Sequence, residues 1–256
     1  MTTIESNLIA AVELKEEAKK ATKLYGPIFN HDQLRLIVGF VAFALPMLVK
    51  HKSSILLTSI SASYHTEAQD IFVGSLFVIA TVFFAYNGHY SIWESRISKL
   101  GALAAAFAAI YPTACDSCVS DIKSQIHGIA ACILFASIVY FCFGPFSKAA
   151  KEKMDKALEA LQEGKQNADE RKQKAAQKAA NEARERLVVY WICGSVSAIC
   201  MLIIAAANFL LPVETSRALQ ITYRGEYIAM WAFGVAWLVA GKIITWVRGG
   251  RLIINL

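Results

Sequence analysis

Hydrophobic residues along the chain gather into six runs, at 34–49, 71–86, 100–112, 126–143, 187–211 and 227–247, separated by short polar breaks and one long one. A helix needs about 20 apolar residues to cross a bilayer, or roughly 17 when it tilts or the bilayer thins. With their flanks, the runs read as membrane spans. The third, LGALAAAFAAIYP, is short and only mildly hydrophobic. Its small residues would let neighbours approach closely, which places it inside a bundle. The pattern predicts an all-α fold, a polytopic transmembrane bundle of about six spans.

The long polar break, 148–186, is rich in Ala, Lys, Glu, Gln and Arg, a helix-forming composition. It is interrupted at EGKQNAD, where Gly164 and Asn167 suit a turn. Spans four and five are therefore expected to run on and join as an antiparallel helical hairpin. Met154, Leu158 and Leu161 on one arm, and Ala168, Ala175, Ala179 and Ala183 on the other, give narrow apolar stripes. These would pair the arms as a coiled coil or dock a second copy or another protein. A solvated spacer is the alternative reading of the same charges.

Composition sharpens the membrane reading. The 256 residues are 56% hydrophobic and 18% charged, with a mean hydropathy of +0.43. A soluble domain carries about a quarter of its residues as charges. Here 19 of the 46 charges fall within 148–186, so the rest of the chain is more apolar still. Of the 26 Lys and Arg residues, 19 lie on the N-terminal arm, the 91–99 loop, the hairpin and the C-terminal tail. The positive-inside rule then puts both termini and the hairpin in the cytoplasm. Residues 1–30 form an amphipathic charged arm without a signal-peptide core, and the first span would act as an uncleaved anchor. The expected organisation is this arm, a four-span core over 31–147, the hairpin, and a two-span segment with a short tail over 187–256. The net charge of +6 resides on loops, and no aromatic-interleaved basic patch points to nucleic acid.

Candidate chemistry collects on the opposite, outer face. The loop 53–70, SSILLTSISASYHTEAQD, is too hydrophobic to be merely solvated, so it is expected to fold back and frame a polar pocket. His65 and Asp70 from this loop, with His127 at the start of span four, offer imidazoles and a carboxylate of the kind that hold an open zinc site. Asp70 would serve equally as a helix N-cap, and each histidine as a hydrogen-bonded structural residue. Cys115 and Cys118 form a CxxC that reads as a disulfide or free thiols, or with His127 and His65 as a structural zinc site, or as a redox pair. Cys132, Cys142, Cys193 and Cys200 read as small apolar fillers. No ionisable chain crosses the spans, and no phosphate-binding or serine-hydrolase motif is present.

The run SISASYHTEAQDIFVGSLFVIATVFFAYNGH, followed by RISKLGALAAAFAAIYPTA and IHGIAACILFASIVYFCF, resembles a widespread group of uncharacterised bacterial multipass membrane proteins. The likeness covers about 59–143 and rests on a Ser-rich Tyr-x-Thr segment, Asp-x-Phe-Val-Gly, a Tyr-x-Gly exit, a Pro-Thr pair preceded by Tyr111 in place of Phe, and Ile-His. It implies a bacterial inner-membrane location and no particular activity. At fewer positions the chain is similar to membrane hydrolases related to alkaline ceramidases and adiponectin-type receptors. Ser61 to His65 matches their Ser-x3-His spacing, Asp70 stands for their Asp, and His127 is a single later histidine. Their His-x3-His and a seventh helix are absent. That likeness implies zinc held by His65, Asp70 and His127, with Ser61 positioning water or an oxyanion.

Three functions follow as expectations. The first is a scaffold, sensor or assembly component acting through the hairpin. The second is a zinc-dependent lipid or amide hydrolase, and the third is an oligomeric channel or transporter.

Overall fold

The computed structural model describes residues 31–86, 91–114, 121–241, 244–247 and 251–254. The N-terminal arm, Cys115 and Cys118, and Lys242 lie outside these residues. Six long helices form the bundle: α1 (His31–Lys52), α2 (Gln69–Ala85), α3 (Ile92–Ile110), α4 (Ile122–Phe141), α6 (Glu170–Leu210) and α8 (Ile221–Ala240). A π-helical turn, Cys142–Phe146, carries α4 into α5 (Ser147–Gln166), and the short α7 (Val213–Ala218) joins α6 to α8. Two strands, β1 (Ile244–Val247) and β2 (Arg251–Ile254), pair antiparallel near the C-terminus. Three helical stretches, Asp32–Lys52, Ile122–Gln166 and Glu170–Leu210, are long and apolar enough to cross a membrane, and Gln69–Ala85 is a shorter apolar helix. The chain is in this sense a membrane protein. Its outward side chains agree, with Phe40, Phe84, Leu202 and Phe209 all exposed on the helices. Large apolar surface of that kind is stable against lipid rather than water.

The helices pack for reasons visible in their periodicity. On α1, Leu34, Val38, Ala42, Leu45 and Val49 are buried at spacings of three and four, one stripe of a helix. Beside this stripe α1 meets α8 at two glycines. A Cβ on Gly39 would come within 2.8 Å of Leu238, and one on Gly234 within 3.0 Å of the Gly39 carbonyl. Only hydrogen fits there, so the two backbones touch. The Ala-rich α3 turns Gly101, Ala102, Ala105, Ala108 and Ala109 inward, while Leu103 and Phe107 face out. It therefore lies on the bundle's perimeter with its small face inward, rather than wholly inside.

At the end where α1 begins, an aromatic core closes the bundle. Phe83, Tyr86, Phe141, Phe146, Phe233 and Trp237 meet there, all nearly inaccessible. Arg35 enters this core and donates to the Tyr86 hydroxyl at 2.8 Å, and Tyr86 donates to Glu94 at 2.9 Å. The guanidinium also reaches the carbonyl of Ala240 and lies over the rings of Tyr86 and Phe146. One buried chain thus ties α1, α2, α3 and α8.

The C-terminal run differs from its expected span. The helix begins at Ile221, after Gln220 in a left-handed conformation (φ 52°), and stops at Gly241. The β-branched stretch that follows adopts strand instead of extending the helix to residue 247. The start of α2 differs too. Ala68 is the N-cap and makes no side-chain cap bond, which leaves Asp70 in the first turn, where a carboxylate complements the helix dipole.

α5 and the first half of α6 pack against one another across the Asn167–Asp169 turn, where Ala168 takes φ 53° and Asp169 caps α6 through the amides of Arg171 and Lys172. The buried seam is Ala150, Ala157 and Gly164 on α5 against Ala176, Ala180 and Ala183 on α6. Half-buried Met154 and Leu161 complete a spacing of four and three. The expected stripes share Met154, Leu161 and Ala183 with this seam. Leu158, Ala168, Ala175 and Ala179 are exposed, because contact through Ala and Gly draws the arms together on the smaller residues.

Candidate functional site

Two regions hold the groups that bear on function. The first is the end of the bundle opposite Arg35. There the segment 53–68 folds back over the helices, burying Leu57, Ile60, Ser63 and Ala68. A short 3-10 helix, Ser61–His65, forms its middle. Local hydroxyls satisfy the irregular backbone: Ser59 accepts from the amide of Ala62, Ser63 donates to the Ile60 carbonyl at 2.6 Å, and Thr66 accepts from the amide of Ala68. At its edges, Ser54 donates to Glu67 at 2.7 Å, a bond that holds the exposed Glu67 carboxyl below the usual carboxylate range.

Helix α8 pins this segment. The Gln220 side chain donates to the Leu57 carbonyl at 3.1 Å, and the Glu226 carboxylate accepts the Ile60 amide at 2.5 Å and contacts the amide and hydroxyl of Ser61. Behind the pin lies a cavity of about 40 Å³, walled by apolar side chains such as Leu45, Phe72, Leu76, Phe135 and Met230. Its polar lining is Ser61, His127 and Glu226.

The expected site residues are placed as follows. His127 is buried, with Nδ1 2.8 Å from the Tyr111 carbonyl, and lines the cavity. His65 is exposed, and its Nε2 lies 2.8 Å from the carbonyl of Thr113. The two rings thus hold the same stretch of backbone, two residues apart. Ser61 reaches the cavity beside His127. Asp70 does not; it is exposed in a separate groove between α2 and α3, with Tyr64, Gln69 and Gly74. Among the described residues no group of three His, Cys, Asp or Glu side chains is close enough together to hold a metal ion. His65 and His127 each engage a ring nitrogen with a carbonyl, so the described donors do not form a ready zinc site.

Glu226 stands outside the expected site set, because the last apolar run begins at 227 and leaves it among the polar residues of the outer loop. A signal was present. Tyr223, Glu226, Met230, Phe233 and Trp237 share one helical face at spacings of three and four, which puts a carboxylate in a core position.

The second region is the hairpin. Its arms are continuous with α4 and α6, and α6 alone is a 41-residue helix. At 1.5 Å per residue it is roughly 60 Å long, about twice the hydrocarbon thickness of a bilayer. Its apolar half packs on α8, while its charged half belongs to the hairpin. At the joint, Pro145 occupies the π-helical turn, where Ser147 donates to the Cys142 carbonyl at 2.7 Å. Asp121, which caps α4 at the far end through the amide of Ser124, is held below the ordinary carboxylate range by that bond.

No protein-family model matches the chain, and no curated protein and no solved structure matches it.

Proposed function

We propose that the chain is a six-crossing protein of a bacterial inner membrane with both termini in the cytoplasm, and that it works as a scaffold or assembly component through its hairpin. The continuity of α6 from the apolar bundle into the charged arm carries this reading. A helix roughly twice the bilayer thickness leaves half its length outside the membrane, and the Ala–Gly seam makes that half a stiff, paired rod. A spacer would not need such a seam, nor a capped turn at its tip. The orientation rests on the basic residues, 19 of 26 of which belong to the segments assigned to the cytoplasm. The alternating course of the six bundle helices supports the crossing number, since it returns the start of α1 and the hairpin to one end.

The rod presents Leu158, Ala175 and Ala179 among alternating charges on its outer face. This is where a second copy or a partner helix would dock. The test replaces residues 151–184 with a short turn and compares crosslinked species in intact membranes. A bundle that stays folded but loses its crosslinked assembly is expected. An unchanged crosslinking pattern overturns the reading. The hydrolase reading receives less from the geometry, because Asp70 lies apart from His127 and Ser61.

A further inference from the structure

The cavity beneath the pinned segment is small. About 40 Å³ accommodates one or two waters, whereas a ligand the size of benzene needs roughly 150 Å³. Water at such a depth requires two to four polar partners, and the lining supplies them: the Ser61 hydroxyl, the His127 ring and the Glu226 carboxylate. The Tyr111 carbonyl can only accept, so Nδ1 of His127 carries a proton. Among the described residues no ion pair involves Glu226. A carboxylate in apolar surroundings without a counter-charge is costly, and its ionised form is stabilised here by hydrogen bonds alone.

We propose that Glu226, His127 and one or two waters in this cavity form a proton-binding site, and that protonation of Glu226 releases the segment 53–68 from α8. Ionised, the carboxylate is acceptor-only and can hold the amides of Ile60 and Ser61 together with the Ser61 hydroxyl. Protonated, the carboxyl loses its charge and one oxygen becomes a donor, so the charge-assisted bonds from the Ile60 and Ser61 amides weaken and the Ser61 hydroxyl must turn to accept. The pin to Ile60 is the contact that spans the chain, so the folded-back segment is what yields.

Among the residues that line the cavity, Glu226 and His127 are the ones that carry acid or base groups. From α4 comes His127; α1 contributes Leu45, α2 Phe72 and Leu76, and α3 Ala108, while α6 lines no part of it. On the folded-back segment, His65 and Glu67 are engaged with Thr113 and Ser54. On α8, Arg224 is exposed, and Tyr223 and Tyr227 pack on each other. The proton therefore has two resting places, Glu226 and His127.

The test uses the full chain in neutral-lipid nanodiscs. Deuterium uptake by the 57–66 peptide, normalised to the intrinsic exchange rate, is followed from about pH 8 to about pH 5. Difference infrared spectra report the protonated carboxyl. Wild type should show uptake rising about tenfold along a titration, a shift of about 1.4 kcal/mol in opening. Glu226→Gln should be high at every pH and lack the carboxyl band, Glu67→Gln should keep the titration, and His127→Gln should move its midpoint. Flat uptake in wild type, loss of the titration in Glu67→Gln, or an unmoved midpoint in His127→Gln overturns the proposal. So does an infrared band that persists in Glu226→Gln, a reading that holds even if exchange in that variant is raised by general loosening.

Discussion

The carboxylate of Glu226 accepts the amide proton of Ile60 at 2.5 Å, across 166 positions of chain. Few single contacts in the bundle join elements so far apart in sequence, and this one holds irregular backbone in place over a helical core. Glu226→Leu removes the acceptor and leaves the Ile60 and Ser61 amides without it. Each buried unsatisfied donor costs about 1–3 kcal/mol. Thermal unfolding in detergent should fall accordingly, with Glu226→Gln intermediate, because the amide oxygen still accepts one bond.

The contact of α1 with α8 makes a second contrast. Gly39→Ala places a methyl 2.8 Å from Leu238 and 2.9 Å from its backbone nitrogen, so overpacking of about 1–3 kcal/mol is expected. Gly74→Ala, also in a helix, meets nothing within 4 Å and should stabilise by about 0.5–1 kcal/mol through helix propensity. Apparent melting temperatures of the two variants should move in opposite directions.

Most of the architecture was legible before the structure. The six bundle helices follow the apolar runs because helix periodicity and run length are set locally, residue by residue. Boundaries were less legible where tertiary context decides them, as at Ile221 and Gly241. The folding back of 53–68 could be anticipated from its apolar content. The helical face of Tyr223, Glu226, Met230 and Phe233 marks Glu226 as a core carboxylate, but its pairing with Ile60 leaves no mark near either residue. Arg35 escaped notice for the same reason: its acceptor, Tyr86, lies in another helix's last turn. The hairpin was readable as two helices, but its register followed small residues rather than large ones. Of the expected site residues, His127 and Ser61 share a cavity and His65 shares a backbone clamp with His127, while Asp70 lies elsewhere.

The Arg35–Tyr86–Glu94 chain should respond to the loss of its central hydroxyl. Tyr86→Phe keeps the ring among Phe141 and Trp237 but removes one bond given to the phenol by Arg35 and one given by it to Glu94. Hydrogen bonds to charged groups contribute about 1.5–3 kcal/mol each. A destabilisation of roughly that size, measured by chemical unfolding, is expected, whereas Tyr64→Phe on the surface should change little.

Acid should loosen the start of the folded-back segment. The Glu67 carboxyl is held below its usual range by Ser54. The stability it contributes is therefore present above the unfolded-chain value of about 4.3 and is lost as pH falls through the lower folded value. Exchange of the 53–56 amides should show a further rise in that acidic window, below the titration that frees residues 57–66, and Ser54→Ala should abolish this acidic step.

The hairpin seam offers a selective lesion. Ala180→Leu inserts a large side chain where α5 and α6 touch and should cost about 1–3 kcal/mol in that arm alone. Spin-label distances across the arms should broaden, while the unfolding of the apolar bundle stays as in wild type.

The central claim is that the hairpin is a docking rod, and photo-crosslinking from its outer face tests it most directly. A benzophenone amino acid replaces Leu158 in the full chain, in native membranes, with the lipid-facing Leu202 as control. The account predicts one discrete adduct from Leu158, with a second copy or a single partner, and none from Leu202. A folded protein that yields no adduct from Leu158, or the same adduct from both positions, would contradict it.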